Sequence, residues 1–169
     1  HAFLSIVAMG KLCGQEINYH SDLDLIFIYS EEGRTSRQIY NSEYFARLAQ
    51  KFISFLSVPT REGQLYEIDT ELRPSGNYGT MVTSLQNFLE YQKNNAQIWE
   101  RQTLLKARPI AGSIHLCRVL QVHLDALVFR PISAELASAE MARIRRRVEL
   151  ELAREDKHTI DYKKGAGAI

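Results

Sequence analysis

The sequence lacks the features that define several large classes of protein. Its two cysteines, Cys13 and Cys117, lie far apart and form neither a zinc-ligand spacing nor a disulfide framework. This favours a reducing, cytoplasmic setting. No apolar run approaches the roughly 20 residues of a transmembrane helix. A formal net charge of +1 gives no reason to expect binding to nucleic acid or to a membrane surface.

The composition is that of a globular protein, with 45% hydrophobic and 24% charged residues in a chain of 169. A chain of this length can bury a substantial core. Its start leads directly into the apolar run 3–9 without a preceding cap or turn, and its end, 165–169, stops on an apolar residue. We therefore expect a segment cut from a longer polypeptide.

The spacing of apolar residues divides the chain near residue 84 into a mixed αβ core, 1–83, and a helical region, 84–169, packed on that core and truncated at its C-terminus. In the core, strands are predicted at 3–9, 23–29, 65–72 and 81–82, and a helix at 42–56. In the helical region, apolar stripes predict helices from Ser84 to a break at Pro109, at 114–128 and at 133–155. The predicted fold class is α+β.

Two carboxylates two residues apart form the most informative motif, Ser21-Asp22-Leu23-Asp24-Leu25. Residues i and i+2 of a strand point to the same face, so Asp22 and Asp24 are expected to project side by side. A fold that keeps two carboxylates together usually has a cation there, and Mg²⁺ prefers oxygen ligands of this kind. The pair is a candidate metal site for phosphoryl or nucleotidyl transfer. The alternative is a solvated pair at a strand edge.

Other residues extend this pair into a candidate nucleotide site. Asp69 is the natural third carboxylate, on a predicted strand whose acidic face also carries Glu67 and Glu71. Gly10 permits close approach of the backbone to a phosphate, and Lys11 supplies a point charge. The remaining candidates for contacts with phosphate or product are Ser21, Arg73, Ser75 and Gly76.

Each of these residues also has an ordinary structural explanation. A Gly-Lys pair after a strand is more often a surface turn, and a single aspartate in a strand often faces solvent. We interpret Glu100, Lys106 and Arg108 as a helix surface with ion pairs, the alternative being that Glu100 or Arg108 faces the cleft. The signal becomes specific only when strand, Gly-Lys, Ser-Asp-x-Asp and acidic strand are taken together.

This joint pattern resembles the nucleotidyltransferase superfamily that includes DNA polymerase β, and more closely the family of glutamine synthetase adenylyltransferases. Segment 9–26 is similar to the active-site segment of that family, 66–76 to its second motif and 99–108 to its third. The resemblance implies a polymerase-β-like mixed sheet with flanking helices. It also implies that Asp22, Asp24 and Asp69 are metal-binding acids, and that Gly10, Lys11 and Ser21 belong to the nucleotide-phosphate segment.

The same resemblance implies a reaction and its partners. One catalytic half of such enzymes uses ATP and Mg²⁺ to transfer AMP to a tyrosine of glutamine synthetase, and the other removes it with phosphate. Segments 65–76 and 91–100 look more like the adenylylating half. The PII signalling protein is implied as a regulator through the parent protein.

Three departures from the family pattern stand out. Cys13 occupies a usual glycine position, and Glu71 occupies a usual arginine position. Segment 165–169 resembles the start of a further motif that goes on to acidic residues. Glu71 and the interrupted motif support an alternative, a nucleotide-binding module without turnover.

Overall fold

A mixed sheet of five strands organises the first part of the chain; the computed structural model describes residues 1–19, 21–61, 63 and 66–151. Strands β1 (Leu4–Met9) and β2 (Leu23–Tyr29) are antiparallel. Strands β3 (Ile68–Asp69) and β4 (Val82–Ser84) both run parallel to β2. Strand β5 (Ala107–Gly112) is antiparallel to β1 on its other side. The strand order is β3-β2-β1-β5, with β4 also on β2.

Helices follow or connect these strands. They are α1 (Gly10–Cys13), α2 (Asn41–Leu56), α3 (Leu85–Asn94), α4 (Ile98–Thr103), α5 (Ile114–Val128) and α6 (Ala134–Glu151), with 3₁₀ turns at Gly76–Tyr78 and Leu104–Lys106. Three of them begin at serines whose hydroxyls accept a backbone N–H: Ser84 before α3, Ser113 before α5 and Ser133 before α6. Such caps satisfy a donor that the first helical turn leaves free. None of the helices in the described residues has the length and apolar character needed to cross a bilayer.

The sheet is buried on both faces, which explains why β1 and β2 are almost continuously apolar. On one face, alternate strand residues pack with helices α3 and α5 through Phe88, Leu116, Leu120 and Leu124. On the other face, the intervening residues pack with α2 through Phe45 and Ala49. Tyr44 and Leu48 of α2 are exposed, because the sheet covers only one side of this helix.

Two predicted elements differ from the observed ones. The helical stripe expected from Ser84 to Pro109 ends earlier, and Pro109 lies inside β5, opposite Val7. An edge strand tolerates proline because one side of its backbone needs no ladder hydrogen bond. The strand expected at 65–72 is reduced to β3, because the Arg73 N–H donates to the Thr70 carbonyl and turns the chain. Leu65 lies outside the described residues.

The chain contains two compact units, His1–Arg130 and a second that begins at Pro131. In the second, α6 confirms most of the helix predicted at 133–155, whose residues 152–155 lie outside the described residues, as do 165–169. Ion pairs along α6 join Arg145 to Glu149 and Arg147 to Glu151. The division at residue 84 stays a prediction; strand β5, beyond that boundary, belongs to the sheet.

Replacing Phe88 tests the core. Phe88 is 1% exposed, whereas Phe55 on α2 is 83% exposed. Phe88→Ala should lower the free energy of unfolding by about 3–5 kcal/mol because it removes a buried ring and leaves a cavity. Phe55→Ala, the matched control, should change it by no more than about 0.5 kcal/mol. Urea denaturation measures both values, and similar losses in the two variants would contradict this description of the core.

Candidate active site

The predicted acidic pair lies where β2 leaves the core. Asp22 immediately precedes the strand and is exposed, and Asp24, its second residue, is half-buried. From Leu25 to Tyr29 every residue of the strand is buried. The apolar part of β2 therefore fixes the position of its acidic end, and the two carboxylates share one face of the strand.

The third predicted acid lies next to this pair. Strand β3 places Asp69 directly opposite Asp24 in a parallel register, and the Leu23 N–H donates to the Glu67 carbonyl at 2.8 Å. Opposed residues of neighbouring strands point to the same face of the sheet. Asp22 and Asp69 also line one shallow depression of about 320 Å³. The fold thus brings together Asp22, Asp24 and Asp69.

The carboxylate of Asp69 is oriented by its own loop. Its Oδ1 accepts the Glu71 N–H at 2.7 Å, and the Glu71 carboxylate accepts a hydrogen bond from Asn77 at 2.6 Å. Among the described residues, no group of three or more His, Cys, Asp or Glu is arranged to hold a metal ion. The three aspartates are neighbours in the sheet without converging on one point, and their role as metal ligands stays a prediction.

Gly10 lies close to the acidic pair, and its approach to a phosphate stays a prediction. Its φ is +52°, and a β-carbon added there would lie 2.7 Å from Asp24 Oδ2. A side chain at this position would both strain the backbone and collide with the acid. Lys11, the next residue, is exposed. The end of β1 therefore lies against the acidic end of β2.

Ser21 is buried and forms a turn that leads into β2. Its hydroxyl donates to Asn18 Oδ1 and accepts the Asn18 N–H, both at 3.0 Å. The Ser21 N–H also donates to the Asn18 carbonyl at 3.0 Å. Asn18 was missed by sequence analysis, although an asparagine three residues before a serine is typical of such turns. A contact between Ser21 and phosphate stays a prediction.

Arg73, Ser75 and Gly76 build the loop after β3. The Arg73 guanidinium donates to the carbonyl and the hydroxyl of Thr70, at 2.7 and 2.8 Å. Ser75 adopts a left-handed conformation with a φ of +63°, and the Gly76 N–H donates to the Arg73 carbonyl at 2.9 Å. These residues shape one side of the site, and their contact with a nucleotide stays a prediction.

Glu100 links α3 to α4 instead of pairing with Lys106 or Arg108. It accepts hydrogen bonds from the Tyr91 hydroxyl at 2.6 Å and from the Gln97 N–H at 2.8 Å. Burial, followed by the hydrogen bond to Glu100, raises the pKa of Tyr91. The interpretation of Glu100 as a partner of these cations is therefore wrong.

Lys106 and Arg108 contact the segment that follows Gly10. Lys106 Nζ lies 2.6 Å from Glu16 Oε2, and the Arg108 guanidinium donates to the Cys13 carbonyl at 3.4 Å. The sequence pattern predicts a helix surface for these cations and does not indicate Glu16 as a partner. Glu16 and Lys106 are 90 residues apart in the sequence, so no local sequence pattern predicts their contact.

The mixed sheet and its flanking helices define an α+β fold of the polymerase-β-like nucleotidyltransferase class. The model of one protein family, described as glutamate-ammonia ligase adenylyltransferase, matches residues 1–121. The chain belongs to this family.

Similar proteins carry the name bifunctional glutamine synthetase adenylyltransferase/adenylyl-removing enzyme. The relative from Xanthomonas axonopodis pv. citri (strain 306) is 39% identical over 98% of this chain and 18% of its own length. The relative from Acinetobacter baylyi is 47% identical over 69% of this chain and 13% of its own length. The chain thus spans less than a fifth of the curated relatives it matches.

Alanine at position 10 tests the contact between the two strand ends. Gly10→Ala should lower the free energy of unfolding by about 1–2 kcal/mol through its positive φ, and further through the collision with Asp24. Gly76 is the matched control, because its φ is also +52° while a β-carbon there would meet only the Glu71 carbonyl at an ordinary 3.5 Å. Urea denaturation of both variants measures the difference. Equal losses would show that the contact with Asp24 adds nothing.

The burial of Tyr91, together with its hydrogen bond to Glu100, should make stability depend on alkaline pH. The pKa of Tyr91 is raised above 10.0 in the folded state, so the unfolded chain loses the phenolic proton first. The stabilisation is complete below pH 10 and is lost as pH rises through the raised pKa. Unfolding free energies at pH 8 and pH 11 should therefore differ more for the wild type than for Tyr91→Phe. Parallel profiles would contradict this assignment.

Proposed function

We propose that this chain is the catalytic domain of an adenylyltransferase that transfers AMP from ATP to a tyrosine hydroxyl of glutamine synthetase and releases pyrophosphate. The observation that carries the proposal is the alignment of Asp24 with Asp69, with Gly10 held against Asp24. This arrangement supports the proposal because it brings the acids and the glycine segment of a predicted nucleotide site close together. Membership of the glutamate-ammonia ligase adenylyltransferase family supports the proposed substrate and reaction.

Asp22, Asp24 and Asp69 are the proposed ligands of Mg²⁺. Their donor chemistry fits, because carboxylate oxygens are hard ligands and Mg²⁺ is usually held by one or two carboxylates together with substrate phosphates. Their common face of the sheet allows all three to approach one substrate. When bound, the ion would neutralise charge on the phosphates and lower the pKa of the attacking hydroxyl.

The remaining proposed roles belong to residues at the edges of the acidic cluster. Gly10 lets the backbone come close to a phosphate, and the exposed ammonium of Lys11 can meet it as a point charge. The loop after β3, shaped by Arg73, Ser75 and Gly76, is proposed to contact nucleotide or product. Their common task is to orient the α-phosphate, because correct orientation supplies much of the rate of such a transfer.

The reaction itself is an in-line displacement at phosphorus. The tyrosine oxygen forms a bond to the α-phosphorus while the bond to the pyrophosphate oxygen breaks, and the hydroxyl proton is lost. No covalent intermediate with the enzyme is needed. A separate displacement, in which inorganic phosphate attacks the phosphorus of the adenylyl-tyrosine and the tyrosine oxygen leaves, would yield ADP and the free hydroxyl. It is the second candidate because the similar proteins are named for both activities.

Neutralising either member of the acidic pair tests the proposal. Asp22→Asn and Asp24→Asn in the full-length protein should lower the rate of AMP transfer by roughly 10²-fold or more, because an ion-phosphate interaction is worth several kcal/mol. Mass spectrometry of glutamine synthetase incubated with ATP and Mg²⁺ measures the gain of one AMP. Asp125→Asn, on the exposed side of α5, is the control and should retain activity.

The same assay separates the alternatives. Normal activity in either variant would remove the metal-site assignment. Release of ADP from adenylylated glutamine synthetase in the presence of phosphate, without AMP transfer from ATP, would identify the adenylyl-removing half. Binding of ATP by calorimetry without either product would identify a binding module, as the substitution at Glu71 suggests.

A further inference from the structure

The start of β5 lies beside the end of β1, and this brings two cations to the segment after Gly10. Met9 is opposite Ala107 in the ladder, so Lys106 and Arg108 flank the point where the chain leaves β1. Lys106 Nζ lies 2.6 Å from Glu16 Oε2, and the Arg108 guanidinium lies 3.4 Å from the Cys13 carbonyl. Segment 10–16 therefore begins beside Asp24, and near its end it contacts Lys106, just before β5, and Arg108 in β5.

Segment 10–16 has little packing of its own. None of the four residues of α1 is fully buried, and only Leu12 packs partly on the core beside α2. Its backbone bonds are local, from the Gly14 N–H to the Gly10 carbonyl at 3.2 Å and from the Glu16 N–H to the Lys11 carbonyl at 2.9 Å. A short segment with few tertiary contacts opens easily unless side chains hold it.

The orientation of Glu16 supports a fixed contact. A β-carbon added at Gly14 would lie 2.8 Å from Glu16 Oε1, so the Glu16 carboxylate is folded back over Gly14. Its other oxygen meets Lys106. Lys106 is thus neutralised by a carboxylate of the segment and is not a free cation awaiting a phosphate.

We propose that Lys106 and Arg108 are positioning residues that hold segment 10–16, and through it Gly10 and Lys11, in place beside Asp24. The inference rests on the proposed function for its consequence in catalysis, because Gly10 and Lys11 are there assigned to the nucleotide. The competing role is direct contact of Lys106 with the nucleotide phosphates. Positioning of segment 10–16 by Lys106 requires Glu16, whereas direct contact of Lys106 with a phosphate does not.

Hydrogen exchange tests the contact without any activity. In Glu16→Gln and in Lys106→Gln, the amides of Gly14 and Glu16 should exchange about two- to fivefold faster, the range expected for loss of a partly exposed ion pair. The charge-swapped double variant, Glu16→Lys with Lys106→Glu, should restore the wild-type rates. Lys51→Gln, on the exposed side of α2, is the control and should leave them unchanged. Unchanged exchange in both single variants would overturn the proposal.

Kinetics in the full-length protein tests the consequence. Glu16→Gln and Lys106→Gln should raise KM for ATP by similar factors of about two to five, with little change in kcat, and the double variant Glu16→Gln with Lys106→Gln should be no worse than either. Lys106→Arg and the charge swap should restore KM. Direct phosphate contact would instead predict that Lys106→Gln raises KM for ATP tenfold or more, that Glu16→Gln leaves KM unchanged and that the charge swap does not restore it. That result would overturn the proposal. A wild type that transfers no AMP would refute the proposed function, and the exchange experiment would still decide this inference.

Discussion

The antiparallel pairing of β1 with β2 is the contact on which the rest of the structure depends. Ala8 opposite Leu25 in this ladder brings the end of one strand beside the start of the other, and so sets Gly10 against Asp24. Strands β3 and β4 attach to β2, and β5 attaches to β1. Because both strands are buried on both faces, a shift of one residue would exchange the faces of every core side chain. The position of the acids is thus fixed by core packing.

Features that depend on local spacing could be predicted from the sequence. The alternation around Asp22 and Asp24, the glycine after the first apolar run and the start of a helix at Ser84 each depend on a few neighbouring residues. Predicting the position of Asp69 required one further assumption, that the acidic strand lies next to the strand that carries Asp22 and Asp24. The parallel register of β2 and β3 confirms that Asp69 lies next to Asp24. The role of these acids as ligands stays a prediction.

Features set by distant contacts could not be predicted in this way. Strand β5 exists because β1 offers it an edge, and its sequence around Pro109 has weak strand character. Lys106 meets Glu16 only once that edge is filled. Tyr44 on α2 is a second example. The spacing of apolar residues predicts an apolar helix surface, but only contact with the sheet determines which part of that surface is buried. Tertiary context therefore determined the parts of the site that sequence spacing missed.

Glu71 lies beside the proposed ligand Asp69, at a position where the family resemblance implies an arginine. Its backbone N–H donates to Asp69, and its side chain accepts from Asn77, so the carboxylate faces its own loop. It still lines the depression that also holds Asp22, Glu67 and Asp69. Four carboxylates around one solvent-filled depression repel a polyphosphate and attract a divalent cation. An additional negative charge at this position therefore strengthens the preference of the depression for a cation over an anion.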